Sequence, residues 1–293
     1  MRAAAIFGPG SYAKDLKLFQ KNSEAAWLNG LPADSNAADA ILIFGGDGTV
    51  HRHLAQLVKL RIPVLVVPCG SGNDFARALK LRSVSDSLAA WRKFSSDAGN
   101  VRAIDLGVIT PLRTDRQDTG ESLVPHHFCC VGGVGLDGDI ARRANQHPRW
   151  VRAHGGYALS FLPSLLRFAP VSMKISVPGD EARVVPRAKP VVVCAFANAP
   201  AYGGGMKIAP NAELDDGALD VCVIRHMNKL KLCFLFPTIY FGRHLGIAQV
   251  EYFQTGNLRL ETEQPQDVYA DGEYVCRTPI DVSVARGALR VIG

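Results

Sequence analysis

Long apolar runs are what this chain lacks, although 47% of its 293 residues are hydrophobic. No uninterrupted run reaches the roughly 18 residues that a bilayer span needs. The nearest, Leu230 to Ala248, is broken by Pro237, Arg243 and His244. The apolar part of Met1 to Gly8 is too short for a secretory signal. Paired cysteines are missing as well. The seven present, Cys69, Cys129, Cys130, Cys194, Cys222, Cys233 and Cys276, are odd in number and contain no CxxC. That pattern speaks against a disulfide framework or a zinc knuckle and fits a reducing cytoplasm. Low-complexity tracts and internal repeats are also wanting. The sequence therefore predicts a soluble, cytoplasmic protein, long enough for two domains, whose contact with any membrane is peripheral.

Acidic residues are absent from one long stretch, Ile140 to Gly179. The same stretch carries Arg142, Arg143, Arg149, Arg152, Arg167 and Lys174, interleaved with Trp150, Tyr157, Phe161, Leu162, Leu165, Leu166 and Phe168. Basic residues beside Trp, Phe and Leu on helical segments describe a surface for anionic lipid. Leu162, Leu165, Leu166 and Phe168 equally fit a buried helix stripe. The formal net charge of +6 suits a nucleotide, an anionic membrane or a nucleic acid without choosing among them.

The first third alternates apolar runs with glycine turns and helical patterns. Ala3 to Phe7, Ala40 to Phe44 and Pro63 to Val67 read as strands, each followed by a glycine-bearing turn and a helix. Repeated strand, turn and helix is the signature of a parallel α/β sheet. From about Val101 strand-like runs dominate, which suggests an antiparallel sandwich or barrel. Two helical insertions are expected there, Arg149 to Phe168 and Lys229 to His244, with Asn228 as N-cap of the second. Thr110 to Pro125 reads as a polar loop, so the domains are expected at residues 1–109 and 110–293.

Gly45-Gly46-Asp47-Gly48-Thr49 follows a strand and opens a helix. Glycines let the backbone approach a phosphate, and helix N-terminal N–H groups attract an anion. Thr49 adds a hydroxyl. Asp47 would repel a bare anion but suits a nearby metal or a proton transfer. Gly70-Ser71-Gly72-Asn73-Asp74 repeats the logic after the next strand, and both turns would face the crevice where open α/β sheets bind ligands. Asp271-Gly272-Glu273 alone reads as a hairpin turn.

Taken in order with Tyr202-Gly203-Gly204-Gly205-Met206, Ile208-Ala209-Pro210 and Asp216-Gly217, these motifs resemble the diacylglycerol kinase catalytic-domain family across nearly the whole chain. The resemblance implies an N-terminal Rossmann-like α/β nucleotide domain and a C-terminal antiparallel β-rich sandwich domain. It implies an ATP-dependent lipid kinase that phosphorylates a hydroxyl of a membrane lipid. Gly45, Gly46, Asp47, Gly48 and Thr49 would hold ATP phosphates, with Gly70, Ser71, Gly72, Asn73 and Asp74 beside them. Asp47, Asp74, Asp105 and Glu273 would organise a catalytic Mg²⁺, partly through water. Asp271 would be the general base, with Asp47 as second choice. The carboxylate of Asp216 and the carbonyls of Leu214 and Ala218 would hold a structural Mg²⁺.

This sequence departs from the family at Gly8-Pro9, where Asn-Pro is usual, and at His51-Arg52, where Asn-Glu is usual. Two alternatives stay open: an NAD kinase-like nucleotide kinase, which shares Gly-Gly-Asp-Gly-Thr, and a non-catalytic lipid- or nucleotide-binding relative. No RNA or DNA motif accompanies the basic residues, so no nucleic-acid partner is expected. The partners expected are a lipid substrate and an anionic membrane surface at 140–179, and a homodimer stays open.

Overall fold

The computed structural model describes residues 1–11, 13–97, 99–112, 124–146, 156–185 and 190–293. The chain divides into two compact units: Met1–Leu106 with Arg286–Gly293, and Gly107–Ala285. A split at residue 109 does not foresee that the last eight residues group with the first unit.

The first unit contains strands β1 (Arg2–Phe7), β2 (Ala26–Asn29), β3 (Ala40–Gly45) and β4 (Val64–Pro68), with helices α1 (Ala13–Gln20), α2 (Asp47–Leu60), α3 (Asp74–Ala78) and α4 (Val84–Asp97). The strands are parallel in the order β2-β1-β3-β4. β3 is buried at every position, as a strand covered on both faces requires. α2 buries Val50, Leu54 and Leu57 on one stripe and ends at left-handed Arg61, whose N–H donates to the Leu57 carbonyl. The chain runs from β1 outward to β2 and then crosses to β3 on the other side. The topological switch point thus lies between the carboxyl ends of β1 and β3.

β5 (Val101–Pro111) leads from the first unit into the second. β6 (His126–Phe128), β7 (Val131–Gly135), α5 (Leu136–Gln146), α6 (Gly156–Arg167), β8 (Met173–Val177), β9 (Asp180–Val185), β10 (Val191–Ala197), β11 (Leu219–Arg225), α7 (Lys229–Tyr240), β12 (Val250–Thr255), β13 (Asn257–Thr262), β14 (Asp267–Ala270) and β15 (Glu273–Arg277) follow. β16 (Ile280–Ile292) begins in the second unit and ends in the first, where Val291 pairs with Val64. In the second unit an antiparallel sheet runs β12-β11-β10-β7-β14-β15. Another runs from the start of β16 through β13 and β8 to β9. Apolar side chains of both, among them Val134, Phe196, Val221, Ile175, Leu258 and Ile280, form one buried cluster. This is the sandwich that the run of short strands implies.

Several boundaries differ from the sequence reading. β5 continues through Thr110 to Pro111, because a hydrogen bond from the Leu112 N–H to the Pro279 carbonyl holds its end. Residues 113–123 of the expected loop lie outside the described residues, as do 149–155 of the expected Arg149 to Phe168 helix. α4, α5, β2, β9, β12 and β15 were not foreseen. α7 begins as expected, with Asn228 Oδ1 accepting from the Leu230 N–H at 2.8 Å. It stops at Tyr240, and a separate 3-10 turn, Arg243–Gly246, follows.

Candidate active site

In the first unit the two glycine turns are built against each other. A Cβ on Gly46 would stand 2.9 Å from Gly70 Cα, so the two backbones meet where only glycine fits. The Asn73 side chain closes the second turn on itself: its Oδ1 accepts from the Gly70 N–H at 3.0 Å, and its Nδ2 donates to the Gly70 carbonyl at 2.7 Å. Asp47 joins the turns. Its Oδ2 accepts from the Asp74 N–H and its Oδ1 from the Phe75 N–H, both at 3.0 Å. The carboxylate therefore serves the orphan donors that open α3. α2, by contrast, opens at Gly46 without a side-chain cap.

The other residues of this group take distinct places. Asp74 is buried and hydrogen-bonded to the Arg77 guanidinium. Ser71 is exposed at the tip of its turn, and Gly48 and Gly72 are half-buried. Thr49 is buried, and its Oγ1 occupies the space that a Cβ on Gly8 or Gly45 would take. Its side chain thus packs on the ends of β1 and β3, and the Gly8 that departs from the family pattern is where that packing needs no Cβ. Asp105 is buried, and its Oδ1 accepts from the Gly287 N–H at 2.7 Å, tying β5 to the returning β16.

In the second unit Asp271 and Gly272 form a two-residue hairpin loop between β14 and β15, with φ of 50° and 85°. Positive φ at both central residues is the type I′ signature that Asp-Gly favours. The Asp271 carboxylate reaches across to the segment before β7. Its Oδ2 accepts from the Cys129 N–H and its Oδ1 from the Cys130 N–H, both at 2.8 Å. The Asp271 N–H donates to the Val131 carbonyl at 2.9 Å. Buried Asn198 steadies the same segment, its Nδ2 donating to the Cys129 carbonyl at 3.2 Å. Glu273 is exposed at the start of β15.

The sequence reading missed these cysteine amides, because the two cysteines looked like small apolar residues. It also missed Asp137, which is fully buried in the first turn of α5 and hydrogen-bonded by the Tyr202 hydroxyl. Burial pushes the Asp137 carboxyl up to about 6, with the Tyr202 hydrogen bond pulling the other way. Its placement just after Gly135-Leu136, at a strand-to-helix junction, was the available signal.

The acidic loop at 214–218 is a turn closed on itself. Asp216 Oδ1 accepts from the Ala218 N–H at 3.0 Å, and Gln254 Nε2 donates to Asp216 Oδ2 at 3.1 Å. Leu214 is buried and Ala218 half-buried. Among the described residues no group of three or more His, Cys, Asp or Glu is placed to hold a metal ion. Among them, too, no helix is long and apolar enough to cross a membrane.

Residues 13–109 match the diacylglycerol kinase catalytic domain, and residues 131–293 match the YegS C-terminal NAD kinase beta sandwich-like domain. A diacylglycerol kinase of Mycobacterium tuberculosis (strain ATCC 25618 / H37Rv) is 32% identical over 260 residues, which span 89% of this chain and 78% of that one. The crystal structure of a diacylglycerol kinase from Bacillus anthracis str. Sterne is similar in fold, with a TM-score of 0.67 at 19% identity over 99% of this chain and 96% of the other. An NAD kinase from Archaeoglobus fulgidus, solved in complex with ATP, shares the fold at a TM-score of 0.55 and 14% identity, over 100% and 94% of the two chains. The fold is therefore that of the diacylglycerol kinases and NAD kinases, and the protein is a kinase with an alcohol group as acceptor. The chain belongs to the diacylglycerol kinase catalytic-domain family and is a lipid kinase.

Proposed function

We propose that the protein transfers the γ-phosphoryl group of ATP to a hydroxyl of a membrane lipid, diacylglycerol or a relative of it. The observation that carries this reading is the hold on Asp271. An ionised carboxylate has about four lone-pair sites. The Cys129 and Cys130 amides engage one site on each oxygen and fix the group's orientation. The carboxylate so oriented is assigned to accept the proton of a lipid hydroxyl, whose oxygen then attacks the γ-phosphorus as the bond to the β-phosphate oxygen breaks and ADP leaves. Positioning of this kind is most of what a phosphoryl-transfer enzyme supplies.

The nucleotide is assigned to Gly45–Thr49 and Gly70–Asp74. Support comes from two abutting turns that no Cβ obstructs and from the uncapped start of α2. Asp47 and Asp74 stand together at the two turns of the first unit, and their hard oxygens suit Mg²⁺, which is commonly held by one or two carboxylates, waters and substrate phosphates instead of a protein cage. When bound, Mg²⁺ would neutralise charge on the phosphates. Asp216, with the carbonyls of Leu214 and Ala218, is the corresponding proposal for a second, structural ion, and its oxygen donors fit the same hard cation.

The test is transfer of label from radiolabelled ATP, with Mg²⁺, to mixed micelles holding a panel of lipids, beside an Asp271→Asn variant. Label should enter a lipid, and the variant should lose at least ~10²-fold, the low end for a positioned base. Label entering a nicotinamide dinucleotide and no lipid would replace this reading with the nucleotide-kinase one. ATP binding without any labelled acceptor would make the chain a non-catalytic relative.

A further inference from the structure

Two neighbouring helices of the second unit turn apolar side chains outward. On α6, Leu159, Leu162 and Leu166 are exposed at i, i+3 and i+7, whereas Phe161 and Leu165 are buried. On α7 and its C-terminal cap, Leu230, Phe234 and Phe241 are exposed at i, i+4 and i+11, whereas Leu232, Leu235 and Ile239 are buried. Each spacing sets its three exposed residues on one helix face. Phe234 keeps 80% of its surface accessible and Phe241 keeps 73%. The helices touch each other: the rings of Phe161 and Phe236 stack with centroids 3.8 Å apart. Lys229 Nζ also donates to the Leu166 carbonyl at 2.6 Å. A helix that is apolar on both its faces is normally covered, and exposed apolar faces on two helices that touch mark a place where something binds.

Charge selects the occupant. No Asp or Glu occurs between Ile140 and Gly179 or between Val221 and Val250. Arg167, Lys229, Lys231 and Arg243 are exposed on these helices or just beyond them. Exposed apolar residues that share their segments with basic ones and with no acidic one complement an anionic lipid surface. A second copy of the chain fits worse. A twofold interface would set these basic residues against their own copies.

We infer that α6 and α7 together form the face by which the protein docks on an anionic lipid surface, with Leu162, Leu166, Phe234 and Phe241 entering the headgroup boundary. The lipid-kinase reading supplies the purpose of this contact, but the contact can be measured without it. The face differs from the stretch singled out in the sequence. It gains α7, and it loses Arg142 and Lys174, which pair with Asp139 at 2.8 Å and Glu261 at 3.0 Å. Arg149 and Arg152 lie outside the described residues.

The test is co-sedimentation of the full chain, without ATP, with phosphatidylcholine vesicles that contain or lack phosphatidylglycerol. The protein should bind the anionic vesicles, and added salt should weaken the binding. The Leu162→Glu/Phe234→Glu double variant should bind at least ~10-fold more weakly, since apolar insertion and basic attraction act together at such faces. Arg167→Glu/Lys231→Glu should weaken binding to the anionic vesicles and leave the neutral ones unaffected. Circular dichroism should show both variants folded, because all four side chains are exposed. Wild-type binding retained in the Leu162→Glu/Phe234→Glu variant would overturn the inference. So would a protein that ignores vesicles but forms a dimer, by sedimentation velocity, which the same variant splits. A protein that phosphorylates no lipid yet binds vesicles through these residues would overturn the functional reading alone.

Discussion

Asp47 in the first unit and Asp271 in the second are held in the same way. Each spreads its two carboxylate oxygens over two consecutive backbone N–H groups, those of Asp74 and Phe75 for one and those of Cys129 and Cys130 for the other. What they hold differs. Asp47 stands in the first turn of a 14-residue helix and reaches residues 27 and 28 positions away, joining two turns of one parallel sheet. Asp271 sits in a left-handed hairpin position and reaches residues 142 and 141 positions away, at the start of another strand. One device fixes a turn that nearby sequence already shapes. The other fixes a meeting that only the sandwich topology creates. A buried or half-buried carboxylate held by amides is oriented without needing a second charge beside it.

The largest expected effect separates steric necessity from backbone conformation. In Gly70→Ala the new Cβ would fall well inside contact distance of Gly46 Cα, and neither atom belongs to a side chain that can swing away. The variant should lose about 3 kcal/mol or more of stability, at the upper end for overpacking, and should lose ATP binding. In Gly272→Ala the Cβ meets nothing within 4 Å, and only the φ of 85° is uncomfortable. That cost should be about 1–2 kcal/mol, the usual left-handed penalty. Urea denaturation of the two variants checks the order. Equal losses would mean that the two glycine turns are not locked together as described.

The same contrast explains what could be read from the sequence. β1, β3 and β4, their turns and α2 were legible, because each is a local pattern of apolar run, glycine and helical period. α4 was legible in principle. Ser83 and Asp86 form a reciprocal capping box, Asp86 Oδ2 accepting from the Ser83 N–H at 2.8 Å and Ser83 Oγ from the Asp86 N–H at 3.1 Å. The strands of the second unit were legible as strands but not as partners, since sequence pattern gives a face and not a neighbour. Asp271 was singled out through the family resemblance, and its grip on Cys129 and Cys130 was invisible because nothing local encodes it. Thr49 illustrates the converse: its hydroxyl looked like a phosphate donor, yet the side chain fills a gap left by two glycines. Leu162, Leu165 and Leu166 could not be sorted by pattern alone. The fold buries Leu165 and exposes the other two.

A smaller effect sharpens the comparison of the two aspartates. Asp47→Ala leaves two N–H groups at the start of a five-residue helix, near the half-exposed turn at 70–73. Losing such a cap should cost about 1 kcal/mol. Asp271→Ala leaves the N–H groups of Cys129 and Cys130, both buried residues. Taking the carboxylate acceptor away from two buried donors should cost more, about 2–3 kcal/mol. Amide hydrogen exchange should accelerate at residues 129 and 130 in the second variant and at 74 and 75 in the first. The reverse order of stability would mean that water reaches the Cys129 segment and the Asp271 contacts are replaceable.

Asp137 breaks the pattern, and its pH dependence gives the third and most conditional effect. This carboxyl is fully buried and is met by a side-chain hydroxyl, that of Tyr202. Burial raises its pKa to about 6, above the ordinary value of 3.8. The folded state therefore binds more protons than the unfolded state between those values, so this group's contribution to stability falls as pH rises from about 4 through 6 and stays low above that. The Tyr202 hydroxyl opposes the fall by donating to the ionised form. Tyr202→Phe removes that donor and extends the window of falling stability to higher pH. At pH 5 the carboxyl is mostly protonated and the lost hydrogen bond is a neutral one, worth about 0.5–1 kcal/mol; at pH 8 it is a bond to a charge, worth about 1.5 kcal/mol or somewhat more. Urea denaturation of wild type and variant at the two pH values should therefore show a loss that grows with pH. A loss equal at both would mean that Asp137 stays protonated in the fold throughout, and that burial alone, with no help from Tyr202, sets its state.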